Sequence, residues 1–237
     1  MKRFWENAGV SRAEGGYQVA LDGRVLKTPA KAAMLLPTQG LAEMVAAEWN
    51  AVEAEVKPAE MPATRMANVA IDRLGEQFEA VADMLAEYGD SDLLCYRATG
   101  PEALVARQAQ MWDPILDWAS EALGARLRPV SGVMPHPQDR AALECLRKQV
   151  HALSVFQLAA FHDLVTISGS LVLAFAVTKS LLTLEESWER AILDELWQES
   201  QWGTDAEAQA FRARKRNDFF HAGRFFARSA QSSGEPA

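Results

Sequence analysis

Between Leu164 and Leu182 the chain reads LVTISGSLVLAFAVTKSLL, its most apolar run. Such a run leaves water in one of two ways, into a lipid bilayer or into the middle of a protein. Its length approaches that of a membrane-spanning helix. Thr166, Ser168, Ser170, Thr178 and Lys179 dilute it, however, and polar groups are costly in hydrocarbon. The reading is a central helical segment covered by other helices, with no membrane insertion. Gly169, set between two serines, is expected to let a neighbouring helix approach closely. The N-terminus, MKRFWENAGVSRAEGG, lacks both the apolar core of a signal peptide and the Arg/Ser bias of a transit sequence. The protein is therefore expected to stay in the compartment where it is made.

A covered helix needs partners, and 237 residues suffice for one large domain or two modest ones. The first part reads as β. Tyr17, Val19 and Leu21 alternate, Asp22-Gly23 supplies a tight turn, and Val25 to Thr28 returns. Pro29 breaks that strand, and Ala32 to Leu36 forms a third before Pro37. Three short strands bury too little alone, so the sheet must lean on something else. Thr38 is placed to cap one running through LAEMVAAEWNAVEAEV, residues 41–56. The prolines of Lys57-Pro58 and Met61-Pro62 then favour an extended linker. The expected fold class is α+β: a small β-rich N-terminal domain with its following helix, residues 1–60, then a larger all-helical domain, residues 61–237.

In that second part, helices are expected at Met66–Leu74 and Gln77–Tyr88. A longer one starts at Thr99-Gly-Pro-Glu102, which resembles a capped helix start, and ends near Gly124, kinked at Pro114. After a proline-containing connector at 126–138, further helices are expected at about 138–150, 154–163, 166–181, 185–200 and 204–227. The last six residues, SSGEPA, are expected to fray.

The stretch Trp188–Arg216 holds three of the seven tryptophans, many carboxylates and a burst of cations. At helical spacing Trp188, Ile192, Glu195, Glu199 and Trp202 share one face. Glu195 and Glu199 thus interrupt an apolar stripe and need partners, in this chain or in another. Thr183 with Glu186, and Thr204 with Glu207, have capping-box spacing. Gly203 suits the positive-φ residue that ends a helix. Together these spacings describe two antiparallel helices cornered at Trp202-Gly203.

Reactive constellations are not apparent. His136, His151, His162 and His221 form no metal-ligand spacing, and Cys95 and Cys145 lie in no CxxC, so neither metal nor cofactor is expected and the cysteines read as reduced thiols. His162 and Asp163 are helix neighbours about 100° apart and are not expected to face each other. Ser168-Gly-Ser is not a nucleophile elbow, and no phosphate-cradling glycine motif occurs. The net charge of -8 opposes general nucleic-acid binding. Two alternatives stay open: an RNA- or membrane-surface adaptor using Arg212–Arg228 with its interleaved phenylalanines, and an enzyme using Asp90, Asp92 and Arg97.

Read in order, LDGRVLKTP (21–29), LLPT (35–38), Glu48-Trp49, MPATRMANVAIDRL (61–74), YGDSDLLCYRA (88–98), QMWDPILDW (110–118), GSLVLAFAV (169–177) and DELWQESQWG (194–203) resemble the assembly chaperones of the F-type ATP synthase alpha subunit, a family of mitochondria and alphaproteobacteria. The resemblance implies a non-catalytic role: binding the free alpha subunit and shielding its assembly interface until the alpha-beta head forms. Two departures are visible. Asn50-Ala51 stands where the family often has glutamine, and the sequence begins almost at the first family motif, where mitochondrial members carry an import presequence. A monomeric bacterial cytoplasmic member, or a mature form, is expected, with mitochondrial-matrix relatives. The family's E-x-x-Q-x-x-x-W-G pattern falls on Glu195, Gln198, Trp202 and Gly203. With Asp205, Glu207 and Trp49 these are the candidate partner-binding residues, and Glu195 is the carboxylate without a local explanation.

Overall fold

A computed structural model describes residues 1–132, 134 and 136–230; the expected frayed tail lies outside the described residues. The chain forms a small N-terminal sheet followed by helices, in two compact units. One comprises Met1–Phe78, Ser154–Ala160 and the chain from Arg224; the other comprises Glu79–Leu153 and Phe161–Gly223.

In the first unit, β1 (Ala8–Ala13) pairs antiparallel with β2 (Gly16–Leu21), which also pairs with β3 (Arg24–Val25) and β4 (Leu35–Leu36). The Asp22-Gly23 turn forms with both residues at positive φ, as its sequence predicts. The expected third strand shrinks to Leu35–Leu36 plus a bridge between Lys27 and Ala33. Strand β1 has no apolar alternation to announce it; its pairing with β2 supplies the order. Helix α1 (Gln39–Ala51) begins at the predicted cap, Thr38 accepting from the Leu41 amide at 3.2 Å, and buries Leu41, Val45 and Trp49. It ends at Val52 rather than at 56. Trp5 packs on Trp49 with ring centroids 5.1 Å apart. Glu48 accepts from the Ala63 and Thr64 amides at 2.6 and 2.8 Å, capping α2 (Pro62–Val69) from a different helix. Residues 58–60 form a short 3-10 turn, and α2 continues through one π turn (Ala70–Leu74) into α3 (Gly75–Ala86), joining the two segments expected separately. From the π turn, Asp72 accepts from Thr28 Oγ1 at 2.5 Å and the Ala30 amide at 3.0 Å.

The second unit is built around α4 (Glu102–Ala122), which runs through Pro114 without ending. Thr99 does not cap it: the Gly100-Pro101 peptide is cis, and Pro101 precedes the first helical residue with no side-chain cap. The connector contributes β6 (Val130–Ser131), parallel to β5 (Tyr96–Arg97). Helix α5 (Arg140–His151) follows, capped by Asp139. The apolar run is two helices rather than one, because α6 (Val155–Ser168) ends at Gly169, φ +71, and Ser170 caps α7 (Leu171–Thr178). Gly169 is therefore a break and not a packing notch. Residues 171–176 are buried throughout, as expected of a central segment. Among the described residues no helix is long and apolar enough to cross a membrane.

Asp92 explains the break. Its carboxylate is wholly buried and accepts from Ser170 Oγ at 2.7 Å and from the Leu94 and Val172 amides at 3.0 Å each. One side chain thus satisfies the exposed starts of two turns of chain.

Candidate partner-binding site

The stretch expected as one helix over 185–200 is two, α8 (Leu184–Ala191) and α9 (Leu193–Trp202), divided at Ile192. The Thr183–Glu186 capping box forms in both directions, 3.1 Å to the Glu186 amide and 2.8 Å back. Trp188 packs against Phe219 of α10 (Ala206–Ser229), centroids 5.7 Å apart. Further along, α10 presents Gly223 to Leu184, where an added Cβ would lie 2.2 Å from Leu184 Cδ2. The first turn of α9 is held by Asp194, which accepts from buried Gln108 at 2.7 Å.

The division at Ile192 separates the five residues that shared a face on a continuous helix. Trp188 and Ile192 are buried, at 4% and 8% exposure. Glu199 accepts from Arg212 at 2.6 Å and Gln209 at 2.8 Å, and these bonds hold its carboxyl below the usual range, Gln209 first. Glu195 is exposed and makes no hydrogen bond or ion pair among the described residues. Of the two interrupting carboxylates, one is answered within the chain and the other is not.

The chain then turns back in three residues. Gly203 ends α9 at φ +89 and ψ 175, its amide donating to the Glu199 carbonyl at 2.9 Å. Asp205, not Thr204, is the cap of α10: its side chain accepts from the Glu207 amide at 2.8 Å, and its carbonyl from the Gln209 amide at 2.9 Å. The expected Thr204–Glu207 box does not form, because α10 starts one residue later than that spacing required. Glu207 keeps its carboxylate free of any partner among the described residues.

Every residue from Ser200 to Phe211 is exposed. Trp202 is 80% exposed and Phe211 52%. Large aromatic groups in water are the informative departure from ordinary burial. Glu195, Gln198, Asp205 and Glu207, all exposed, lie on the same two helices and their turn. Trp49 differs: it belongs to the first unit, is 7% exposed, and its Nε1 finds no acceptor among the described residues. Phe211 is absent from the sequence-derived set; its signal was an aromatic residue directly before the run of cations that begins at Arg212.

The cations of α10 are partly engaged internally. Arg212 pairs with Glu199, Arg214 and Lys215 lie 5.8 and 5.0 Å from the Phe211 centroid, and Arg216 lies 4.0 Å from that of Phe220. Asp92, Arg97 and Asp90 are committed to structure as well. Burial pushes the Asp92 carboxyl up to about 6. Arg97 bonds Asp113 at 2.7 Å and lies over Trp112, and Asp90 accepts from the Gln138 amide at 2.7 Å. His162 and Asp163 do meet, at 2.9 Å, since their side chains bend together over the helix surface. Among the described residues no three His, Cys, Asp or Glu side chains are grouped to hold a metal. Cys95 and Cys145 are free thiols, the first buried and raised to about 12 by that burial.

The family whose model is described as "ATP12 chaperone protein" matches residues 2–120. The chain is 27% identical over 219 residues to "Protein atp12, mitochondrial" of Schizosaccharomyces pombe, spanning 87% of this chain and 75% of that protein. A crystal structure of Atp12 from Paracoccus denitrificans superimposes with a TM-score of 0.93 at 45% identity, covering 97% of this chain and 98% of that one. A mutant of the same Paracoccus protein also gives 0.93, at 44% identity and the same coverage.

Proposed function

Since the chain belongs to the ATP12 chaperone protein family, we propose that it serves ATP synthase assembly by binding the free alpha subunit of the F-type catalytic head. It shields the surface that alpha later presents to beta, and releases it as the alternating head forms. It acts as a monomer in the bacterial cytoplasm and performs no chemistry on its client. The α9–α10 hairpin is the client-binding surface, with Glu195, Gln198, Trp202, Gly203, Asp205 and Glu207 as its contacts; Trp49 supports the first unit from within.

The observation that carries this reading is Trp202, an indole 80% exposed beside the turn of a helical hairpin. A client surface would withdraw it from water, and aromatic anchors of this kind dominate binding energies at interfaces. The surrounding carboxylates contribute orientation and association rate more than affinity. That division suits a chaperone, which must hold its client and let it go.

Co-expression with the cognate alpha subunit, alone and with beta, tests the function. The protein is expected to keep isolated alpha soluble and to co-purify with it, and to leave once beta is present. Failure to do either with isolated alpha rejects the reading. Within the site, Trp202→Ala is expected to weaken capture roughly 30-fold, the equivalent of about 2 kcal/mol for an interface anchor. Glu195→Gln is expected to weaken it several-fold with the thermal midpoint unmoved.

A further inference from the structure

We infer that Glu199 is a positioning residue, a strut that ties α9 to the start of α10 and so fixes where Trp202 and the free carboxylates are presented. The inference rests on the reading of this hairpin as the client-binding surface. It starts from how little else holds the outer half of the hairpin together. From Ser200 to Phe211 every residue is exposed, and the next buried position on α10 is Phe219. A helix as short as α9 does not persist in water on its own propensity, and the outer turns of α10 bury nothing. Their mutual placement must therefore come from specific contacts.

Glu199 makes those contacts with both carboxylate oxygens. Oε2 accepts from Arg212 at 2.6 Å and Oε1 from Gln209 at 2.8 Å. The two charged side chains are 18% and 17% exposed although the hairpin around them is open. Gln209 and Arg212 are three residues apart, so they share one face of α10 and grip one carboxylate together. Arg212 matches a carboxylate better than a lysine would, because its planar fork directs several donors. The inner end of α9 is tied separately, by Gln108 to Asp194 at 2.7 Å. The inner part of α10 is tied by Phe219 against Trp188. Between these anchored roots and the Gly203–Asp205 turn, Glu199 supplies the cross-link.

The role differs from that of Glu195, one helical turn earlier on the same helix. Glu195 would touch the client; Glu199 would act through Arg212 and Gln209 on the position of Trp202. Losing the strut should loosen the hairpin without unfolding the unit, since the apolar core beneath it is elsewhere.

Glu199→Ala, Arg212→Glu, and the exchanged pair Glu199→Arg with Arg212→Glu test this in the full chain. Three quantities are read: capture of alpha subunit, thermal midpoint, and amide hydrogen exchange across residues 196–212. Either single change is expected to reduce capture about tenfold and to raise exchange in that window at least tenfold, with the midpoint within a few degrees of wild type. The exchanged pair is expected to recover most of both. Unchanged exchange in Glu199→Ala overturns the strut. Raised exchange with undiminished capture overturns its role in presentation, and a large fall in midpoint reassigns the pair to global stability. If wild type itself captures no alpha subunit, the functional reading fails and takes this role with it, an outcome distinct from the other three.

Discussion

Asp92 carries a carboxyl that water does not reach, and its cost is offset by three donors of fixed direction. Burial nevertheless outweighs the donors and lifts the group from 3.8 to about 6. The folded state therefore holds this proton more tightly than the unfolded chain does. By linkage the contribution to stability is greatest below about pH 4, the unfolded value, and is lost as pH rises to about 6. Asp92→Asn removes the titration and leaves a donor where Val172 already donates. We expect it to cost about 2–3 kcal/mol at low pH, as for other unsatisfied buried groups. The gap to wild type should narrow between pH 4 and 6. Denaturant unfolding at several pH values checks this, and a gap that widens with pH would contradict it. The same residue shows the limit of reading a sequence by spacing. In Gly-Asp-Ser-Asp it looks like a turn residue, and only the distant Ser170 and Val172 reveal what it caps.

At the level of elements, local chemistry was legible at most caps and turns, with Thr99 and Thr204 the exceptions. Thr38, Asp22-Gly23, Thr183 with Glu186, and Gly203 all do what their residue types and spacings require. What escaped depends on neighbours remote in sequence. Strand β1 is ordered by β2, the apolar run breaks at Gly169 because Asp92 is there to receive Ser170, and Ile192 divides a pattern that looks continuous. The candidate site was legible as a region but not in its roles. Glu195 and Glu199 share a helix face, and only the pairing of α9 with α10 decides which one meets Arg212. The close approach of α8 and α10 is likewise invisible in sequence. Gly223→Ala puts a methyl group against Leu184 at 2.2 Å. We expect a loss of about 1–3 kcal/mol in denaturant unfolding, the usual cost of overpacking. No change would mean that Leu184, at the start of α8, swings aside freely.

For the whole molecule, a net charge of -8 and a sheet too small to stand alone are ordinary features. The unusual one is the uneven exposure of its tryptophans. Trp5, Trp49, Trp112 and Trp188 are at most 7% exposed, Trp118 and Trp197 are intermediate, and Trp202 is open at 80%. The protein therefore carries a native optical probe at the point where we place the client. An aqueous quencher such as iodide should extinguish the long-wavelength edge of its emission first, and Trp202→Phe should abolish that fraction. Client binding should shift the same component to shorter wavelength and protect it from iodide. Capture and release during assembly would then be visible in real time, in unlabelled protein, by the colour of one indole.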